Sequence, residues 1–70
     1  MTTESLQIIG KNLKAARVNK NWTQVELADK AGINSNYYAK IERGDISPSY
    51  ETFEKIFKAL CVKSKDIFPI

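Results

Sequence analysis

The chain has 70 residues, of which 43% are hydrophobic, enough for one small folded domain and too many for a disordered chain. It has no histidine and a single cysteine, which excludes a histidine-based catalytic triad, a His/Cys zinc site and an intramolecular disulfide. Its net charge of +3 fits a polyanionic partner. The sequence has no membrane-length apolar run and no leader, so we expect a cytoplasmic protein without a membrane partner. We also expect no cofactor, metal or small-molecule ligand.

The first half of the chain carries two helical patterns. Apolar residues recur at the spacing of an amphipathic helix in the first segment: Leu6, Ile9, Leu13 and Ala16. The segment TQVE then has the arrangement of a capping box, in which Thr23 and Glu26 each bond the other's backbone amide. Gly32 can supply the positive φ that ends this second helix.

Three shorter helices are predicted after Gly32. Asn34 is a good N-cap for the third helix, and Gly44 can end it. Ser49 is the predicted cap of a fourth helix, whose apolar residues recur at helical spacing: Phe53, Ile56, Phe57 and Leu60. Ser64 is the predicted cap of a last short turn. Because no segment alternates like a strand, we predict an all-α fold, a compact bundle of about five short helices.

The second and third helices are joined by a very short connection around Gly32. Because about three residues are too few to lay them antiparallel, the helices must turn sharply, as in a helix-turn-helix. Ala28 is small where the two helices approach each other. The third helix then turns its polar residues outward: Ser35, Asn36, Lys40 and Arg43. Such residues near the start of the helix are the first to enter a major groove.

Two fragments, WTQVELADKAGI and KIERGDISPS, occur in an order and spacing that resemble the Cro/repressor family. These lambda repressor-like, Xre-type proteins are helix-turn-helix transcription regulators of bacteria and phages. The resemblance extends from Ile9 to Phe68. It implies a five-helix, lambda repressor-like bundle that forms one DNA-binding domain over residues 1–70. The helix-turn-helix lies at about 23–43, and C-terminal helices at about 49–68 supply core and dimer contacts.

The resemblance also implies which residues contact DNA. Three fall where family members contact base edges: Ser35, Asn36 and Lys40. Three match positions that bond phosphates: Gln24, Tyr37 and Arg43. The chemistry agrees, because Asn can bond adenine bidentately and Lys can reach guanine O6 and N7. A glutamine at a helix N-terminus lies beside free amides that can share a phosphate with it.

Two charged residues stand in unfavourable places. Glu42 lies in the last turn of the third helix, where a carboxylate opposes the macrodipole, and Arg17 lies beside the apolar stripe of the first helix. A structural pair between Arg17 and Glu42 explains both positions, and the resemblance implies the same pair.

Three residues depart from the family pattern. Tyr38 replaces an aliphatic residue on the inner face of the third helix, and Phe57 stands where a small residue is common. Cys61 occupies a position where glycine is usual after the fourth helix, so a positive φ there carries strain. We expect the Cys61 side chain to be buried or half-buried, as an apolar residue.

One recognition helix reads only a few base pairs, so we expect a homodimer on a two-fold symmetric operator. The interface candidates are at the C-terminus: Ile67, Phe68 and Ile70. Two residues elsewhere, Leu6 or Tyr50, are further candidates. At least one of Ile67 and Phe68 is expected to close the monomer core instead. We favour a small dimeric regulator similar to restriction–modification controller proteins or a phage Cro-like repressor, although a fragment of a longer regulator fits as well.

A protein-binding module and an enzyme are the two alternatives to DNA binding. This fold also occurs in antitoxins and coactivators, so a protein-binding module with weak DNA affinity is the alternative. An enzyme is not expected, because the chain has no histidine, no metal-ligand cluster and no phosphate-cradling glycine loop. The polar outer face of the third helix favours double-stranded DNA as the partner.

Overall fold

The structure is a computed structural model that describes residues 2–69. These residues form five α-helices and no strand: α1 Thr3–Asn19, α2 Gln24–Ala31, α3 Ser35–Arg43, α4 Tyr50–Leu60 and α5 Ser64–Ile67. The predicted all-α fold is therefore confirmed. No helix in this range is long and apolar enough to cross a membrane.

Side-chain caps begin the second, third and fourth helices. Thr23 Oγ1 accepts from the Glu26 amide at 3.1 Å, while Glu26 Oε1 accepts from the Thr23 amide at 2.9 Å. Asn34 and Ser49 likewise accept backbone amides of α3 and α4. The capping predictions for these three helices are confirmed, because each cap satisfies amides that have no helical carbonyl partner.

The start of α5 differs from the prediction. Ser64 is the first residue of this helix, and Lys63 stands in the cap position without a side-chain cap bond. The Lys63 amide instead donates to Asp66 Oδ2 at 3.0 Å. The prediction of Ser64 as the cap is therefore wrong by one residue, because the Asp66 carboxylate reaches back to the preceding amide.

One hydrophobic core joins all five helices. Helix α3 packs against α1 and α2, α2 also packs against α4, and α1 meets α5. The buried side chains are Ile9, Leu13, Leu27, Ala28, Ala31, Tyr38, Ile41, Phe53, Ile56, Phe57, Leu60 and Ile67. Gly32, with φ of 72°, makes the turn between α2 and α3. Helix α3 is thus held by two neighbouring helices, α1 and α2, and by the turn that precedes it.

The C-terminal residues close the core. Ile67 is only 1% exposed, and its carbonyl accepts from Asn12 Nδ2 at 2.8 Å. The half-buried Phe68 ring lies 5.1 Å from that of Phe53 and 5.5 Å from that of Phe57. The prediction of Ile67 as a dimer contact is corrected, because its side chain is occupied within the monomer. Ile70, the third candidate, lies outside the described residues.

Cys61 ends α4 in the left-handed conformation, with φ of 58°. Its side chain is exposed, contrary to the expectation of a buried or half-buried residue. The reason is local: the left-handed residue turns the chain away from the helix, and the next residue, Val62, packs against the core instead.

Candidate nucleic-acid interface

Helix α3 has one polar side that faces away from the core. Tyr38 and Ile41 are buried on its inner side. Asn36 and Lys40 are exposed, and Ser35 is half-buried at the start of the helix. Because residues four positions apart lie on the same face of a helix, Asn36 and Lys40 project together. We call Ser35, Asn36 and Lys40 the recognition surface.

The N-terminus of α2 offers backbone donors next to Gln24. The Thr23 and Glu26 amides are occupied by their capping box. The Gln24 and Val25 amides belong to the same first turn, where an α-helix provides no carbonyl acceptor. Two free amides and the positive end of the helix dipole therefore lie at the same helix start as Gln24. This arrangement suits an anion such as a DNA phosphate.

Arg17 and Glu42 form an ion pair between α1 and α3. Arg17 Nε donates to Glu42 Oε2 at 2.7 Å, and Nη2 donates to Oε1 at 3.2 Å. Arg17 Nη1 also donates to the Trp22 carbonyl at 2.7 Å. The two side chains are only 11% and 4% exposed. The pair therefore ties the end of α3 to α1 and to the loop that precedes α2.

Gln24 belongs to the same polar group. Its Nε2 donates to Glu42 Oε1 at 3.2 Å, so one carboxylate oxygen accepts from both Arg17 and Gln24. Burial disfavours the charged form of Glu42, but Arg17, the neighbouring Tyr38 hydroxyl and Gln24 together outweigh it and hold its pKa below the usual value. The hydrogen bond to Glu42 likewise raises the pKa of Arg17. Both groups are therefore charged at neutral pH.

Tyr38 lies beside this pair on the inner side of α3. It is 0% exposed, and its hydroxyl has no hydrogen-bond partner within residues 2–69. Burial raises the pKa of Tyr38, so the phenol is neutral. The side chain therefore lies fully inside the core, on the inner face of α3 as predicted.

The two other predicted phosphate contacts are held less firmly. Tyr37 is half-buried and packs against the core. Arg43 Nε donates to Asp45 Oδ2 at 2.9 Å, with side chains 59% and 53% exposed. An exposed pair of this kind is worth little, so a phosphate can compete for Arg43. Neither residue joins the buried group around Glu42.

Two contacts near the interface escaped prediction. The Gln24–Glu42 hydrogen bond joins residues 18 positions apart, and nothing in the local sequence signals it. Gly10 packs directly against the backbone of α3: a Cβ there would overlap the Glu42 carbonyl oxygen and lie 2.8 Å from the carbonyl carbon. A glycine inside a predicted helix was the one available signal, because it often marks a close backbone approach.

A DNA-binding helix-turn-helix regulator is the class of protein that this fold and surface define. Residues 13–66 match the helix-turn-helix family, and the chain belongs to it. It is 35% identical over 68 residues to the control protein C.BamHI of Bacillus amyloliquefaciens, covering 96% of this chain and 84% of that protein. It is 40% identical over 55 residues to the immunity repressor of Bacillus phage phi105, covering 79% of this chain.

The chain spans only 38% of the length of that immunity repressor. Among solved structures, the restriction–modification controller protein C.AhdI of Aeromonas hydrophila superposes with a TM-score of 0.89 and 28% identity. That match covers 93% of this chain and 98% of C.AhdI. The lambda repressor-like bundle predicted from the sequence agrees with this likeness.

Proposed function

We propose that the chain binds a two-fold symmetric operator in double-stranded DNA as a homodimer and thereby regulates transcription. The observation that carries the proposal is the outward position of Asn36 and Lys40 on α3, whose C-terminal end is held by the buried Arg17–Glu42 pair. A rigid helix with an exposed polar side can lie in the major groove, where each base pair presents a distinct pattern of donors and acceptors.

The recognition surface supplies the base contacts in this proposal. Asn36 would bond adenine N6 and N7, and Lys40 would reach guanine O6 and N7. Ser35, closer to the helix start, can donate to or accept from either base. Because such contacts discriminate between bases, they carry the sequence preference.

The phosphate contacts would set the orientation of the protein on the duplex. Gln24 and the free amides of α2 would share one phosphate, and Tyr37 would donate its hydroxyl to another. Arg43 would leave Asp45 for a phosphate, because the exposed pair is weak. These contacts carry affinity without reading sequence.

A second copy of the chain would occupy the groove between α4 and the start of α5. The groove has a volume of about 350 Å³ and is lined in part by Tyr50, Phe57 and Val62. Tyr50 is 68% exposed, the most exposed of the large hydrophobic residues described. Self-association through one face fits the similarity to controller proteins and a symmetric operator. Tyr50 is thus the earlier interface candidate that this groove favours, in place of the buried Ile67.

The oligomeric state tests the groove directly. We expect Tyr50→Glu to weaken self-association, measured by sedimentation at several protein concentrations. Val18→Glu is the matched control, because Val18 is 52% exposed on α1, outside the groove. Equal association of both variants and the native chain would assign the dimer contact to another face.

Selection of bound duplexes from a random pool, at a stated near-physiological salt concentration, tests the function. We expect a two-fold symmetric motif for the native chain. Asn36→Ala should relax the preference at one position per half-site, while Gln24→Ala should weaken binding to all sequences similarly. Recovery of no motif by a folded protein would favour the protein-binding module. We place this activity in the cytoplasm of a bacterial cell, where the genes that its operators control are transcribed.

A further inference from the structure

The side chain of Gln24 is anchored before any DNA is present. Its Nε2 donates to Glu42 Oε1 at 3.2 Å, and that oxygen belongs to a carboxylate that is 4% exposed. The carboxylate is itself held by two hydrogen bonds from Arg17. A glutamine on the first turn of a helix ordinarily samples several rotamers. This anchor restricts them in advance, so phosphate binding costs less side-chain conformational entropy.

We infer that Glu42 is a positioning residue for phosphate binding, acting through Gln24; the inference rests on the proposed function. A side-chain amide has two N–H donors. Glu42 accepts one of them, which leaves the other, together with the free amides of Gln24 and Val25, to meet one phosphate oxygen. The ion pair is thus part of the DNA-binding apparatus as well as a tie between helices.

Arg17 makes a carboxylate tolerable in this position. An unpaired Glu42 close to a phosphate would repel it. Arg17 bonds the carboxylate at 2.7 and 3.2 Å, and its positive charge balances that of Glu42. The ion pair as a whole therefore offers Gln24 an acceptor oxygen while carrying no net charge. This explains why the acceptor for Gln24 belongs to an ion pair.

The mobility of Gln24 tests the anchor in the protein alone. The chain contains two glutamines, and Gln7, exposed on α1, is the internal reference. We expect NMR relaxation of the side-chain NH₂ groups to show restricted motion for Gln24 and free motion for Gln7. Equal mobility of the two groups would overturn the inference, whatever the protein does with DNA.

The coupling to DNA is tested by a double-mutant cycle. Gln24→Ala is made in the native chain and in an Arg17→Met/Glu42→Leu background, where both partners become apolar residues of similar length. Such replacement of a whole buried pair is often tolerated. The operator found by selection is the probe. We expect Gln24→Ala to weaken binding about tenfold in the native chain and less than about twofold in the background, since contacting residues couple energetically.

A third background restores the acceptor without the charge. In Arg17→Met/Glu42→Gln the amide oxygen can again accept from Gln24, so the effect of Gln24→Ala should return towards its native size. An equal effect in all three backgrounds would overturn the positioning role while leaving the phosphate contact intact. No effect of Gln24→Ala in the native chain would reject the phosphate contact itself, and the inference with it.

Discussion

Glu42 stays ionised in a buried position because its two oxygens accept three hydrogen bonds, two from Arg17 and one from Gln24. Desolvating two charges is expensive, so such a pair adds little stability compared with an apolar pair. Breaking it from one side is different, since the remaining charge is then buried without a partner. The pair therefore matters mainly for which helices it holds together.

Removal of one partner should be strongly destabilising. We expect Glu42→Ala to lower the free energy of unfolding by about 3 kcal/mol or more, because Arg17 stays charged and buried. Urea denaturation measures the change. Asp45→Ala is the control, since it breaks an exposed pair and should cost less than about 1 kcal/mol. An unchanged midpoint for Glu42→Ala would contradict the structural role of the pair.

The same carboxylate should make the fold sensitive to acid. The pKa of Glu42 is lowered in the folded state, so the unfolded chain takes up a proton first as the pH falls. Its stabilising contribution is present at neutral pH and is lost as the pH falls below the ordinary glutamate value of about 4.3. We expect the stability of the native chain to fall more steeply there than that of Arg17→Met/Glu42→Leu. Parallel pH profiles would contradict this.

Helices α1 and α3 are in backbone contact, because Gly10 of α1 has no side chain to hold them apart. Gly10 faces the backbone of Glu42, so the ion pair from Arg17 bridges two helices that are already in backbone contact. The close approach fixes the distance of α3 from the rest of the bundle.

The end of α4 has a backbone feature of its own. Cys61, a non-glycine residue, adopts a positive φ there.

Gly10→Ala tests the close approach. Alanine would by itself stabilise a helix interior relative to glycine by about 1 kcal/mol. Here its Cβ would overlap the Glu42 carbonyl, which is backbone and cannot move aside as a side chain can. We expect a net loss of about 1–3 kcal/mol, typical of overpacking. Thermal unfolding gives the sign, and a raised melting temperature would mean that the helices are not in backbone contact.

Cys61→Gly should stabilise the chain. Glycine adopts a positive φ without the steric cost borne by other residues, about 1 kcal/mol or more at a left-handed position. We expect a gain of about 0.5–1 kcal/mol in the free energy of unfolding. Cys61→Ala is the control, because it removes the thiol and keeps the Cβ. A gain of equal size for both variants would point to the thiol and not to the backbone.

At the level of the whole protein, the net charge of +3 contributes to DNA affinity only where cationic side chains contact phosphates. Neutralised phosphates release counterions, so affinity for DNA falls with salt according to the number of cationic contacts. In the proposed homodimer each contact occurs twice. Charged and uncharged phosphate contacts should therefore differ in their effect on this dependence.

Salt titration separates the two kinds of contact. We expect Arg43→Ala to reduce the slope of log affinity against log salt by about two for the dimer, one per protomer. Gln24→Ala should weaken binding and leave the slope unchanged, because its side chain carries no charge. An unchanged slope for Arg43→Ala would mean that this residue stays with Asp45 when DNA is bound.

Local interactions made much of this protein predictable from its sequence. The caps at Thr23, Asn34 and Ser49 and the turn at Gly32 involve residues within four positions of one another, so short patterns specify them. Helical periodicity likewise placed the apolar faces, and the outward side of α3 followed from them. The family resemblance assigned roles to residues of that surface.

Only the tertiary structure decided how these elements meet. Burial of Ile67, the backbone contact of Gly10 and the hydrogen bond from Gln24 to Glu42 all join parts of the chain far apart in sequence. Periodicity identifies a face that needs covering, but it does not identify the segment that covers it. That choice depends on the packing of all five helices at once, since one arrangement must both fill the core and pair buried groups such as Arg17 and Glu42.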